Sequence, residues 1–137
     1  MTTIEEKVVY EAGEDVPFVP FDSQKCLKEY YASYNKTYFN DTLPHLSELF
    51  ICAFQPLPND QQGIYIDSER ARKLSTSETT VRAGIRINSK LKCFKEFTRM
   101  VLLHEMIHVS GIKGHNGGFT DALCRLVKAG AFSDLIR

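Results

Sequence analysis

The stretch Phe94-Lys95-Glu96-Phe97-Thr98-Arg99-Met100-Val101-Leu102-Leu103-His104-Glu105-Met106-Ile107-His108-Val109-Ser110 decides how the rest of the chain is read. It holds neither proline nor glycine and stops at Gly111, so it reads as one mostly buried helix. Val101, Leu102, Leu103, Met106, Ile107 and Val109 leave that helix apolar nearly all round. Two imidazoles and a carboxylate in such a setting are costly to bury unless something satisfies them. Positions i and i+4 of a helix share a face one turn apart, so His104 and His108 can reach a single metal ion. Glu105 is rotated by about 100° from His104 and stands beside such an ion, where it can hold an attacking water.

Two histidines leave a zinc site incomplete, since catalytic sites use three protein ligands and one open position. No glutamate follows His108, so a downstream glutamate ligand is excluded within this sequence. The pattern H-E-x-x-H-x-x-G-x-x-H reaches Gly111 but then meets Gly114, with the histidine one place later at His115, and no methionine follows Met106. The metzincin arrangement is therefore rejected. The reversal Gly111-Ile112-Lys113-Gly114 can return the chain towards His108, which makes His115 the first candidate for third ligand and Asp121 the second. His45, after Pro44 in a turn, reads as a surface residue, and Cys93 has no register with the motif. The cysteines, Cys26, Cys52, Cys93 and Cys124, contain no C-x-x-C pair, so a zinc ribbon is absent and they read as reduced, mostly buried thiols.

Moving outward, residues 1–21 are acidic and end in Val16-Pro17-Phe18-Val19-Pro20, which favours an extended lead-in. Residues 22–137 then form one domain. Asp22 or Ser23 caps a helix whose apolar positions Leu27, Tyr30, Tyr31, Tyr34 and Tyr38 face a core. Strand-like runs follow at 49–54 and 63–67, a polar loop or short helix at 68–80, and an alternating apolar and basic run at 81–88 that reads as a half-buried strand. A final amphipathic helix carries Phe119, Leu123, Leu126 and Val127. The expected fold is α+β, a small mainly antiparallel sheet flanked by helices.

The chain has 137 residues, 43% hydrophobic and 25% charged, which suits one globular domain. No apolar run approaches the ~20 residues of a membrane span, and the first residues lack the basic and then apolar signature of a secretory signal. The protein is therefore expected to be intracellular, cytoplasmic or nucleoid and nuclear. Its zero net charge excludes a uniformly basic coat, yet nine basic residues against three acidic ones lie between 68 and 99. That block, directly before the metal helix, reads either as a solvated charged edge or as a groove for DNA or a DNA-bound protein.

His104-Glu105-Met106-Ile107-His108, followed by Gly114-His115-Asn116-Gly117-Gly118-Phe119, resembles the SprT-like zinc metallopeptidase domain, the group that includes Spartan. Tyr34-Asn35-Lys36-Thr37-Tyr38-Phe39-Asn40-Asp41-Thr42-Leu43-Pro44 is similar to the segment closing that family's first helix, and Ile85-Arg86-Ile87-Asn88-Ser89-Lys90-Leu91 to the strand before its metal helix. The resemblance covers about residues 22–130. It implies a zincin-like domain, one Zn²⁺ per chain held by His104, His108 and His115, Glu105 as catalytic acid/base, and a protein or peptide substrate.

A hydrolase of this type activates water on the metal and moves its proton through Glu105. Tyr65 and Arg99 are the candidate oxyanion donors. The substrate is expected to add as a strand at the edge formed by residues 84–88, with Arg82, Gly84, Arg86 and Asn88 nearby. Two rivals remain. One is a zinc hydrolase acting on RNA, which would not need Glu105; the other is a non-catalytic, metal-stabilised binding module.

Overall fold

The structure, a computed structural model, describes residues 23–133; the extended lead-in expected for residues 1–21 lies outside them. Helix α1 spans Ser23–Tyr38 and turns Leu27, Tyr31 and Tyr34 into the core, with Tyr30 and Tyr38 packed at its margin. Its end is tied down by Asn35, buried at 1% exposure. The Asn35 amide nitrogen donates to the Leu43 carbonyl and its oxygen accepts from the Leu43 N–H, both at 3.0 Å. Asn40 and Asp41 adopt left-handed backbone angles between them, a conformation these two residue types tolerate.

Strands β1 (Phe50–Gln55), β2 (Gly63–Ile66) and β3 (Ala83–Asn88) form one sheet in the order β1-β3-β2. β3 pairs with β2 antiparallel but with β1 parallel, so the sheet is mixed rather than mainly antiparallel. The reason lies in residues 56–82, which carry β2 and the helix α2 (Ser68–Leu74) and are long enough for a crossover between parallel strands. Asp67 caps α2 by accepting from the Arg70 N–H at 2.8 Å. The third strand in sequence is thereby inserted between the first two.

Central placement also corrects the reading of β3 as a half-buried edge. All six of its residues are buried. Arg86 is 5% exposed, and its Nη1 is a buried donor without a partner among the described residues. At Gly84, where φ is +140°, a Cβ would lie 2.0 Å from the Ile51 carbonyl oxygen, so only glycine permits this strand approach.

After a 3₁₀ turn (Ser89–Leu91), helix α3 spans Lys95–Val109 and α4 spans Gly117–Lys128. α1 packs on β1, α3 packs on β2 and β3, and the two helices touch. Between helices and sheet lie Phe50, Cys52, Ile85 and Ile87 from the strands, and Leu102, Leu103, Met106 and Ile107, all inaccessible, from α3. Each of those α3 side chains contributes about 1.5–3 kcal/mol by leaving water. His104, Glu105 and His108 therefore sit on a helix anchored by fully buried side chains. No helix among the described residues is long and apolar enough to cross a membrane.

Candidate metal centre

His104 and His108 lie one turn apart on the solvent-facing side of α3, half-buried, while Glu105 turns inward to 6% exposure. The helix ends at Val109 with Ser110 as its C-cap, and Gly111 takes φ +114°, a left-handed step that reverses the chain. The reversal does two things at once. The Ile112 carbonyl oxygen accepts from His108 Nδ1 at 2.6 Å, which puts the proton on Nδ1 and leaves Nε2 with a free lone pair. Three residues later His115 arrives beside both imidazoles. Its Nε2 lies 3.1 Å from His104 Nε2 and 3.2 Å from His108 Nε2.

Ligand-capable atoms of the three histidines all fall within 4.8 Å of one another. Two nitrogens on one tetrahedral zinc, each ~2.0–2.1 Å from it, would be about 3.3 Å apart, so the donor set fits a single ion. Burial and the neighbouring imidazoles His108 and His115 push the His104 pKa down, which keeps it neutral and able to donate a lone pair. Phe119 backs the trio. Its ring centroid is 4.9 Å from His104, 5.2 Å from His108 and 4.8 Å from His115. Phe119 is buried at the start of α4, where Asn116 caps the helix by accepting from the Gly118 N–H.

Glu105 stands apart from the trio, with Oε2 4.0 Å from His104 Nε2. Desolvation raises its carboxyl to a pKa of about 7. It borders a cavity of about 420 Å³ that is also lined by His104, His108 and His115 and, from the opposite side, by Gly63, Tyr65, Asp67 and Arg70.

The strand facing the site is β2, not β3. β3 is hydrogen-bonded on both sides and has no edge to offer, whereas β2 is an outer strand whose Gly63 touches α3. A Cβ at Gly63 would lie 2.7 Å from Val101 Cγ1 and 3.2 Å from Glu105 Cγ, so glycine is what lets strand and helix meet there. Of the four residues expected at a substrate edge, Gly84 and Arg86 are buried in the middle strand and Arg82 is exposed outside it. Asn88 has a different role. Its Nδ2 donates to Gln61 O at 2.8 Å and its N–H to Gln62 O at 2.8 Å, bracing the loop that delivers Gly63.

The other sequence candidates separate cleanly. Asp121 is exposed on α4 and does not join the histidine cluster. His45 pairs with Asp41 at 2.9 Å on the surface, as its turn position implied. Tyr65 lines the cavity, and burial followed by the nearby Asp67 charge raises its pKa, keeping the hydroxyl a donor. Arg99 does not line it; its Nε donates to Tyr34 Oη at 2.7 Å and its guanidinium lies 4.9 Å from the Tyr30 ring centroid. Within the basic block at 68–99, Arg70 borders the cavity, Arg86 is buried, Lys73 faces Glu69 and Lys90 faces Asp60.

Gly63, Asp67 and the bracing role of Asn88 were not assigned from sequence. A glycine opening a short strand was the one local signal, since it marks close backbone approach. Compared with protein-family models, with curated proteins and with solved structures, the chain matches none, so fold and site rest on this geometry.

Proposed function

We propose that this chain is a zinc-dependent hydrolase of peptide bonds, with His104, His108 and His115 as metal ligands and Glu105 as general acid/base. The observation that carries the reading is the convergence of three Nε2 atoms beside a desolvated, cavity-facing carboxylate. Three imidazoles with one open position match catalytic zinc rather than a closed structural site. Zinc bound there supplies Lewis acidity to a water and to the scissile carbonyl.

The chain's own groups do the rest. Glu105 takes a proton from the attacking water and passes it to the leaving amine. Tyr65, protonated and in the same cavity, is the donor assigned to the developing oxyanion. The Ile112 carbonyl holds the His108 tautomer. β2 is the outer strand beside the site, and an extended peptide can add to it by main-chain hydrogen bonds. That mode of binding favours a peptide over an RNA substrate, and Glu105 has work to do in peptide hydrolysis that the RNA reading leaves unused.

The test pairs metal analysis of purified protein with cleavage of an unfolded protein such as casein by wild type and Glu105→Gln. Both proteins are expected to hold about one zinc per chain, while the variant loses activity by about 10²–10⁴-fold. Zinc lost from Glu105→Gln but fully retained in His115→Ala would overturn the ligand assignment. Equal cleavage by both proteins would overturn the mechanism.

A further inference from the structure

A second cavity, of about 390 Å³, opens on the other flank of the site. It shares Gly63, His104 and Glu105 with the first, so the two are branches of one groove that crosses the catalytic carboxylate. The branches differ in chemistry. The first carries Asp67, Arg70 and Lys113. The second, apart from the shared residues and the amides of Gln61 and Gln62, is walled by Phe97, Met100 and Val101, and among the described residues it adds no charged side chain of its own.

The apolar row follows from helix geometry. Positions 97, 100, 101 and 104 recur at the spacing of one face, so the first three run along α3 straight to the first histidine. Phe97 is 43% exposed, so its ring is open to a bound group, and Met100 is half-buried with a polarizable, adaptable side chain. The Gln61–Gln62 side of the branch is fixed by Asn88. The volume lies within the about 300–1,000 Å³ typical of ligand-holding clefts.

We propose that this branch is a specificity pocket that takes a large apolar side chain (Leu, Met or Phe) on one side of the scissile bond. The inference rests on the peptide-hydrolase reading and names its substrate class. An acidic side chain placed there would meet the shared Glu105 and, among the described residues, find no Lys or Arg in the branch to pair with, and glycine would leave Phe97 and Met100 exposed.

The experiment uses three peptides identical except for Leu, Gly or Asp at the residue flanking the bond, scanned on each side of it. Cleavage by the zinc-loaded wild type is followed by mass spectrometry. Binding to Glu105→Gln is followed by amide chemical shifts at Phe97 and Met100. The Leu peptide is expected to exceed the Gly and Asp peptides by about 10–100-fold in kcat/KM, on one side of the bond only. Phe97 is exposed enough for Phe97→Lys to fold, and that variant is expected to collapse the Leu-over-Asp ratio to about threefold or less by giving the acid a partner.

Equal cleavage of all three peptides, or an unchanged ratio in Phe97→Lys, would overturn the pocket and leave the hydrolase reading standing. No cleavage, with Leu-selective shifts at Phe97 and Met100, would overturn the hydrolase reading and keep the pocket. Neither cleavage nor selective shifts would remove both.

Discussion

Compare the two sides of the cleft. On one side, residues 104–115 supply every imidazole, and each is placed by a neighbour in sequence: a helix turn, a left-handed glycine, a carbonyl four residues on. On the other side, Gly63, Tyr65 and Asp67 belong to a short outer strand and its exit. What holds that strand is remote, since it pairs with β3 and leans on Asn88, 27 residues beyond Gln61. A site of this kind has a chemical half that is built locally and a shaping half that is built by tertiary structure. The first half is expected to fail through loss of metal, the second through loss of rate with the metal still in place.

The largest expected effect lies where the halves meet the core. Phe119→Ala removes a buried ring that touches all three imidazoles and should cost about 3–5 kcal/mol by urea denaturation of the metal-free protein. Zinc affinity, measured against a competing chelator, should fall by about 10–100-fold in the same variant. Retained affinity would show that the ring supports the fold alone.

Gly63→Val comes next and separates the halves directly. Its Cβ would collide with Val101 and press on the Glu105 side chain. The expected result is normal zinc content with kcat lower by about 100-fold, the scale of an ångström-sized misplacement. Zinc loss in Gly63→Val would mean the two sides are not independent. Asn88→Ala should cost about 0.5–1.5 kcal/mol, the net worth of its hydrogen bond to the Gln61 carbonyl, which is exposed enough for water to replace it. KM should rise in that variant more than kcat falls, as the strand loosens while the imidazoles stay.

The smallest effect is chemical. Burial pushes the Cys52 thiol up to about 12, whereas Cys124 is exposed on α4. At pH 8 a thiol with so high a pKa stays protonated and unreactive, since the thiolate is the nucleophile. Iodoacetamide should label Cys124 in the native protein and reach Cys52 only after unfolding. Native labelling of Cys52 would show that the sheet opens under α1.

The local half was legible from sequence for a physical reason. A helix fixes i and i+4, and Gly111 marks its end, so His104, Glu105, His108 and the return of His115 all follow from spacing. The helices of residues 23–38 and 117–128 were legible through their apolar stripes. Strand order was not. Alternation in residues 83–88 shows a pleat but not which neighbours it has, and a middle strand can bury an arginine that local pattern assigns to solvent. The substrate edge is therefore expected on β3 from sequence, although the outer strand beside α3 is β2. Asn88, likewise, looks like a strand terminus in sequence and acts as a brace only because the 57–62 loop folds back over it.

The His108–Ile112 hydrogen bond has a consequence for the order in which the site assembles. Two of the three candidate ligands, His104 and His108, ride on one helix and require no ring closure, whereas His115 needs the 110–115 segment to curl back. Because that same curl supplies the carbonyl that sets the His108 tautomer, the second and third donors are thermodynamically coupled. Straightening the reversal would withdraw one lone pair and release the tautomeric constraint on another. For an ion bound by the three imidazoles, residues 110–115 would be a clasp, and the free energy of closing it would set the gap between a weak two-point hold and a tight three-point one.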